Sequence, residues 1–220
     1  MNGSNFDNTL STVRFNGSDR TTTFVSSSQL TASIIAGDLT SARVDTITVF
    51  NSGGGGLSNT SLFTVNKAST SSTVSTSNSS TVFGQSVTFT AKVSVNSPGS
   101  GSPTGNFEFF DGATSLGTAS ISGDSAQLST SSLSVASHSI TATYSGDGNY
   151  NTSTSTSTTQ TVGKASTTTS ITSGTNPTVF GQLVSFTAHV SVSSPGAGSP
   201  SGTIEFFDGV TSLGTSSMSG

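Results

Sequence analysis

The chain has 220 residues, of which only 7% are charged, while Ser and Thr together account for about 40%. Six Lys and Arg residues are too few for the basic patch that nucleic acid requires, and no apolar run reaches the roughly 18 residues of a membrane span. The absence of Cys excludes disulfides and thiol chemistry. We therefore expect no nucleic-acid partner, no membrane insertion and, because 14 Phe and many aliphatic residues alternate with polar ones, packed cores rather than disorder.

Residues 1–66 carry five short segments that resemble the IPT/TIG type of immunoglobulin-like (Ig-like) domain. These segments are Asn2-Gly3-Ser4-Asn5-Phe6, Val13-Arg14-Phe15-Asn16-Gly17, Thr22-Thr23-Phe24-Val25, Gln29-Leu30-Thr31-Ala32 and Thr46-Ile47-Thr48-Val49-Phe50-Asn51. The resemblance implies a truncated domain, whose opening strand and most of whose second strand would precede Asn2. Ala42-Arg43-Val44 stands where the family has a small, glycine-containing turn. The residues after Met1 have neither the basic start nor the apolar stretch of a signal peptide.

The rest of the chain repeats itself. Residues 67–123 reappear as residues 164–220 without a gap and with about 36 of 57 positions identical, which is typical of a tandem array of domains. We predict a complete unit at 67–163 and a truncated second copy at 164–220, as in a segment of a longer array. The second copy would lack three of seven strands, so we expect Phe186, Ile204 and Phe206 to have no facing sheet.

The complete unit is predicted to contain about seven strands. Apolar and polar residues alternate over 86–95, which places Val87, Phe89 and Ala91 on one face. Asp111-Gly112 between two β-rich runs predicts a hairpin. Further strands are predicted at 105–110, 114–121, 126–130, 139–144 and 154–162. Short strands separated by turn signals indicate a β-sandwich or barrel.

Six motifs of this unit resemble the bacterial Ig-like domain of group 3. They are Val82-Phe83-Gly84-Gln85, Pro103-Thr104-Gly105, Phe109-Phe110-Asp111-Gly112, Ser115-Leu116-Gly117, His138-Ser139-Ile140-Thr141-Ala142 and Tyr144-Ser145-Gly146-Asp147-Gly148-Asn149-Tyr150. The resemblance implies an all-β fold of tandem immunoglobulin-like β-sandwiches, found in strings on secreted and cell-surface bacterial proteins. It implies an extracellular location and no catalytic residues.

The seams between the three units are almost identical and contain no flexible linker. They are Thr64-Val65-Asn66-Lys67-Ala68-Ser69-Thr70 and Thr161-Val162-Gly163-Lys164-Ala165-Ser166-Thr167. Such short seams restrict bending and predict a semi-rigid rod. The expected partners of each unit are therefore the neighbouring Ig-like domains of the same chain.

Few residues of the complete unit could carry chemistry. Its acidic residues are scattered: Glu108 points outward between two inward Phe residues, and Asp111 is explained by its turn. We expect His138 and His189 to be surface or strand-start residues. Lys92 with Glu108 could form an isopeptide crosslink, although His189 replaces Lys92 in the second copy. We predict no catalytic residue, no cofactor site and no enzyme activity.

Calcium is the one metal for which candidate ligands exist. An Ig-type strand order places the loops of Asp124, Asp147 and Asn149 at the pole facing the preceding domain, near Lys67. Ca²⁺ prefers several carboxylate and carbonyl oxygens. The alternative is that Asp and Asn serve as turn formers beside Gly, and we predict no metal site on that ground.

Two functions suit such a chain. The first is a structural spacer, or stalk, in an extracellular multidomain protein, because Ser/Thr-covered strands stay soluble with few charges and few tryptic sites. The second is an adhesin or carbohydrate-binding module that recognises a glycan or a surface protein. Such sites display exposed aromatic residues, and Phe110 and Phe207 are the repeated candidates.

Overall fold

The computed structural model describes residues 1–218, and the last two residues of the predicted 164–220 unit lie outside them. The described chain is built from strands, with one short 3-10 helix at Ala36–Leu39. The strands are β1 (Ser11–Phe15), β2 (Ser18–Asp19), β3 (Thr22–Ser26), β4 (Gln29–Ala32), β5 (Arg43–Asn51), β6 (Gly56–Leu57), β7 (Ser61–Val65), β8 (Thr70–Thr76), β9 (Ser80–Val82), β10 (Val87–Val95), β11 (Asn106–Asp111), β12 (Thr114–Ser120), β13 (Ser125–Thr130), β14 (Ser137–Tyr144), β15 (Ser153–Thr154), β16 (Thr158–Gly163), β17 (Thr167–Ser173), β18 (Phe186–Val192), β19 (Thr203–Asp208) and β20 (Thr211–Ser217).

Packing divides the chain into two compact units. The first unit comprises residues 1–71, 94–105 and 145–153, and the second comprises residues 72–93, 106–144 and 154 onward. The strands of each sheet nevertheless all fall within 1–66, within 67–163 or within 164–218. The sheets therefore follow the repeat, whereas the loops 94–105 and 145–153 pack with the N-terminal residues, and the domain boundaries drawn from the sequence stay a prediction.

The N-terminal strands form one sheet in the order β2-β1-β5-β6, with β7 also paired to β5, and a separate hairpin of β3 and β4. Every second residue of β1 is buried, as period-2 geometry requires. Val13, Leu30 and Val49 form the core of this region, against which Phe6, Phe24, Ala32 and Ile47 pack. Arg43 and Val44, where the family resemblance placed a turn, instead begin the nine-residue strand β5.

The strands of 70–163 form the two layers of an Ig-like β-sandwich. One sheet has the order β13-β10-β8 and the other the order β12-β11-β14-β16-β9, with β15 paired to β14. Alternate residues of β10, β11 and β14 are buried, so the predicted strand faces are confirmed. The Phe107 ring lies 6.4 Å from that of Phe109 and 5.8 Å from that of Tyr144, measured between centroids. These rings fill the space between the sheets.

The last predicted strand, 154–162, is interrupted in the structure and appears as β15 and β16. The cause is Ser155, which is buried between them. Its hydroxyl accepts the Ala142 N–H at 3.0 Å, while its own N–H donates to the Ala142 carbonyl at 2.9 Å. A side-chain oxygen thus takes the place of a ladder carbonyl, and the regular pairing stops there.

Gln160 is a polar residue inside the sandwich, and it is fully buried. Its side-chain oxygen accepts from the Thr76 hydroxyl at 2.8 Å, and its side-chain nitrogen donates to the Thr81 hydroxyl at 3.1 Å. Because Thr76 ends β8 and Thr81 lies in β9, this one amide joins strands of both sheets. Because both polar atoms of the Gln160 side chain are hydrogen-bonded, its burial leaves no unsatisfied polar group.

The second copy forms two separate hairpins, β17 with β18 and β19 with β20. Phe89 of the complete unit is 0% exposed, whereas its counterpart Phe186 is 47% exposed. Ile204 and Phe206 are half-buried, in contrast to the fully buried Phe107 and Phe109 at the same repeat positions. The described residues of the second copy therefore leave open the apolar face that the complete unit covers.

Candidate functional site

The loop after β14 is organised around the carboxylate of Asp147. One carboxylate oxygen accepts the backbone N–H groups of Asn149 and Tyr150 at 2.8 and 3.0 Å. The other accepts the N–H and the hydroxyl of Thr104 at 2.8 and 2.7 Å. Asp147 therefore ties together two loops that are 43 residues apart in the chain.

The electrostatics of this loop follow from those four donors. Partial burial by itself would raise the pKa of Asp147, but the hydrogen bonds from Asn149, Thr104 and Tyr150 outweigh burial and lower its pKa to about 2. Both carboxylate oxygens already accept protein donors. The site therefore holds an ionised carboxylate whose hydrogen bonds are all made to the two loops that it joins.

The same loop anchors the beginning of the unit. The Lys67 ammonium donates to the Asp147 carbonyl at 2.6 Å, and the Ala68 N–H donates to the Asn149 carbonyl at 2.8 Å. Tyr150 is buried, and its hydroxyl donates to the Ser100 carbonyl at 2.8 Å. The predicted closeness of Asp147 and Asn149 to Lys67 is thus what the structure shows.

Asn149 reaches the preceding domain. Its side-chain oxygen accepts the backbone N–H of Ala42 at 2.8 Å, and both residues belong to the first compact unit. Ala42 lies just before β5. The Asn149 side chain therefore links the Asp147 loop to the N-terminal strands, and its oxygen accepts a hydrogen bond from a backbone N–H.

Asp124, the third calcium candidate, has different surroundings. Its exposed carboxylate lies 3.8 Å from the Lys92 ammonium. Within residues 1–218, no three or more His, Asp or Glu side chains gather in a group that could hold a metal ion. The structure therefore brings Asp147 and Asn149 together with protein donors, and the expectation of no metal site stays a prediction.

A His–Asp pair that sequence reasoning missed, with a buried histidine and a partly exposed carboxylate, lies at one end of the sandwich. His138 is 7% exposed, with Nδ1 2.7 Å from a carboxylate oxygen of Asp111 and Nε2 2.9 Å from the Ser134 carbonyl. His138 stands at the start of β14, the second of the two placements expected for the histidines, and it is buried there instead of lying on the surface. The alternation could have indicated its burial, because His138 shares a face with the buried Ile140, two residues on.

The neighbours of His138 favour its protonated form. Burial alone would lower its pKa, but the hydrogen bonds to the Ser134 carbonyl and the Asp111 carboxylate, with the charge of Asp111, outweigh burial and raise it. Since a carbonyl and a carboxylate only accept, both contacts favour the protonated ring, in which both nitrogens donate. Both nitrogens are thus occupied, which leaves neither available to activate a nucleophile.

Lys92 and Glu108 are not placed for a crosslink. Lys92 points outward from β10 in one sheet, and Glu108 lies on β11 in the other, where it accepts from the Ser115 hydroxyl at 2.7 Å. The outer faces of two opposed sheets point away from each other. The arrangement therefore gives no support to the isopeptide bond that the two residue types would allow.

The aromatic candidates for binding differ between the two copies. Phe110 is half-buried in the complete unit, while Phe207 is 56% exposed in the second copy. Phe110 faces away from the core residue Phe109, as expected. Phe207 is more exposed because the second copy, over its described residues, lacks the strands that cover the complete unit. Phe110 and Phe207 therefore do not form an exposed aromatic surface that repeats from copy to copy.

The N-terminal residues contain a charge network that the sequence did not reveal. All three Arg residues of the chain lie there, and Arg20 binds Asp38 through two bonds of 2.9 and 2.5 Å. Arg43 donates to the buried Asp45, whose other oxygen has no partner. Burial would raise the pKa of Asp45, but the bonds from Asn16 and Arg43 lower it. The network holds the chain around the 3-10 helix.

Residues 73–163 match the family model described as "Bacterial Ig-like domain (group 3)". This segment is a bacterial Ig-like domain. The match covers the sandwich, the His138–Asp111 pair and the Asp147 loop of the Ig-like domain. The resemblance of 1–66 to IPT/TIG domains stays a prediction. No curated protein matches the sequence.

Three solved structures show distant likeness to the chain. A structure on Dscam isoform specificity has 14% identity and a TM-score of 0.37, covering 70% of this chain, which spans 38% of the Dscam chain. Fibronectin(III)-like modules of Clostridium thermocellum CbhA have 11% identity and a TM-score of 0.35, with coverages of 74% and 80%. The ectodomain of mouse nectin-like molecule 4 has 11% identity and a TM-score of 0.31, with coverages of 71% and 55%.

No helix among residues 1–218 has the length and apolarity needed to cross a bilayer. Bacterial Ig-like domains are often extracellular and are generally not catalytic. The family therefore points to a structural or surface module.

Proposed function

We propose that this chain is a spacer segment of a secreted or cell-surface bacterial protein. The observation that carries the proposal is the way successive strands are joined. Strand β7 ends at Val65 and β8 begins at Thr70, while β16 ends at Gly163 and β17 begins at Thr167. Connections of three or four residues restrict the relative motion of the sheets they join, as a spacer requires.

The bonds at the first seam support the same function. Lys67 and Ala68 bind the Asp147 loop, and Asn149 of that loop binds Ala42 of the N-terminal strands. The connection is thus held by side chains as well as by a short chain. Such contacts oppose bending without requiring a ligand.

The surface chemistry also suits an exposed spacer. Charged residues are 7% of the chain, and most outward strand positions are Ser or Thr. Such a surface gives no large field of either sign to attract partners. We place the chain outside the cell on this ground and on the family's usual location.

We further propose that these residues have no enzyme activity. The two groups best suited to proton transfer are committed to structure: both nitrogens of His138 and both oxygens of Asp147 are hydrogen-bonded within the Ig-like domain. General acid–base catalysis needs a titratable group within reach of a substrate. Neither group is directed at one.

Small-angle scattering tests the spacer proposal. A compact 220-residue domain has a radius of gyration of about 17 Å and an unfolded chain one of about 50 Å. We expect an intermediate value that changes little with salt, because few charges are present. The matched control carries flexible Gly-Ser insertions after Asn66 and after Gly163, which should broaden the distance distribution. Equal distributions for the two proteins, or a radius near 17 Å, would contradict the proposal.

A binding role is the competing outcome. Glycan or host-protein capture by the full chain, lost in Phe110→Ser, would favour an adhesin. A spacer should show no retention that depends on Phe110. The half-buried position of Phe110 favours the second result.

A further inference from the structure

The residues that follow β9 form a corner against which a loop of the next copy rests. We call Phe83 and Gly84 the corner, and residues 194–199 the docking loop. The Ala197 N–H donates to the Phe83 carbonyl at 3.1 Å. A Cβ placed on Gly198 would lie 3.0 Å from Cε1 of the Phe83 ring. Corner and loop both belong to the second compact unit.

The corner is built by its own domain. Strand β9 pairs with β16, and the Phe83 N–H donates to the Gly163 carbonyl at 2.8 Å. The side-chain oxygen of Gln85 accepts the Val82 N–H at 3.1 Å. Gly84 has a φ of +80°, a conformation that favours glycine. The corner therefore needs no partner to hold its shape.

The docking loop is likewise built by its own copy. The Gly196 N–H donates to the Ser193 carbonyl at 3.0 Å, and a Cβ on Gly196 would lie 2.5 Å from the Ala165 Cβ. The first copy repeats this packing, where a Cβ on Gly99 would lie 2.7 Å from the Ala68 Cβ. The packing at this glycine is thus a property of the repeat, whereas Tyr150, which holds Ser100 and Gly101 in the first copy, has no counterpart within residues 164–218.

Each copy carries both halves of the contact. The corner sequence Val82-Phe83-Gly84-Gln85 recurs as Val179-Phe180-Gly181-Gln182, and the loop sequence Pro98-Gly99-Ser100-Gly101 recurs as Pro195-Gly196-Ala197-Gly198. We infer that the corner is a docking surface whose partner is the Pro-Gly-X-Gly loop of the following copy of the repeat. The interface is head-to-tail, the heterologous kind that continues from copy to copy.

The two corners differ in their surroundings. Phe83 is 42% exposed beside β16 and the docking loop, whereas Phe180 is fully exposed, and among residues 164–218 no strand pairs beside it as β16 does in the first copy. Beside the corner lies an open groove of about 180 Å³ whose apolar lining comes from both copies, namely Phe83, Val135, Ala165, Val192 and Pro200. The contact is close at Gly84 and looser over the groove. The contact between the corner and the docking loop does not depend on whether the array acts as a spacer.

Glycine substitutions give a matched test. In Gly84→Ala the new Cβ would lie 2.7 Å from the backbone nitrogen and oxygen of Ala197. Gly181 has nearly the same φ, +83°, but nothing within 4 Å of the corresponding position. Both variants carry the same backbone strain, and only the first disturbs docking. In the full chain, we expect hydrogen exchange at the Ala197 amide to become about tenfold faster in Gly84→Ala and to stay unchanged in Gly181→Ala.

A second pair of variants removes the aromatic ring of the corner instead of adding a Cβ atom to its glycine. Phe83→Ala should also accelerate exchange at Ala197, while Phe180→Ala should not. Slow exchange of the Ile140 amide in the same spectra shows that the Ig-like domain remains folded. Unchanged exchange at Ala197 in both corner variants, or equal acceleration in their controls, overturns the inference. Because the readout is a single seam amide, this result is independent of the scattering experiment.

Discussion

Nδ1 of His138 lies 2.7 Å from the carboxylate of Asp111, joining the first residues of β14 to the last residue of β11. The pair links positions 27 residues apart. Its position between two paired strands means that the charge on the ring contributes to the stability of the Ig-like domain. That contribution must depend on pH.

Stability should fall as the pH rises above the ordinary pKa of histidine. The folded-state pKa of His138 is raised above 6.5, so its contribution is fully present below 6.5 and is lost as the pH rises through the raised value. We expect a lower melting temperature at about pH 9 than at about pH 6. Thermal unfolding of the full chain, followed by circular dichroism at the two pH values, measures this difference in melting temperature.

The control for this prediction is the other histidine. His138→Gln should reduce the fall in melting temperature between the two pH values, while His189→Gln, at an exposed position, should preserve it. An identical pH dependence in wild type and His138→Gln would show that the pair does not contribute.

Replacing Asp147 should loosen the loop that it organises. Asp147→Ala removes the acceptor of four hydrogen bonds and should cost about 1–2 kcal/mol after allowance for solvent screening. Asp124→Ala removes one exposed ion pair of 3.8 Å and should cost less than about 0.5 kcal/mol. Chemical denaturation compares the two.

The same carboxylate predicts an acid response. The pKa of Asp147 is lowered from 3.8 to about 2, so its contribution is present above 3.8 and is lost as the pH falls through about 2. The difference in stability between wild type and Asp147→Ala should therefore shrink in strong acid. A constant difference across that range would argue against the four bonds as its cause.

Calcium should leave the melting temperature unchanged. The oxygens of Asp147 and the side-chain oxygen of Asn149 accept N–H and O–H donors, which a cation would have to displace. Differential scanning calorimetry with Ca²⁺ on the order of millimolar, and with chelator, measures the effect. A rise in melting temperature that disappears in Asp147→Ala would establish the calcium site instead.

The same Phe position should contribute far more to folding stability in the complete unit than in the second copy. Phe109→Ala empties a fully buried position and should destabilise the Ig-like domain by about 3–5 kcal/mol. Phe206→Ala changes the half-buried counterpart and should cost about 1 kcal/mol. Hydrogen exchange of β14 amides measures the first, and that of β19 amides the second. Equal costs would mean that the second copy also has a covered core.

The comparison of the two copies shows how far sequence reasoning reaches. Alternation predicted that Phe89 and Phe186 point to the inner face of their strands, and a strand fixes that direction locally. Whether the face is covered depends on strands elsewhere in the chain, which is why Phe89 is 0% exposed and Phe186 is 47% exposed. Counting the strands of each copy was enough to anticipate this difference.

The long-range polar contacts were beyond the reach of any sequence pattern. Thr76 and Gln160 are 84 residues apart, and Thr104 and Asp147 are 43 apart, so no local spacing connects their donors and acceptors. Ser155 likewise interrupts a strand because of a bond to Ala142 that only the folded sandwich permits.

Period-2 alternation, turn residues and the internal repeat determined by themselves that this chain is built from β-strands in repeated Ig-like units, because side-chain direction along a strand and the glycine turns are local properties. Only the tertiary structure decided that His138 is buried beside Asp111, that Asp147 holds a loop and that Phe83 receives the loop of the next copy. Each of those outcomes depends on donors, acceptors and surfaces that meet only after distant strands have paired.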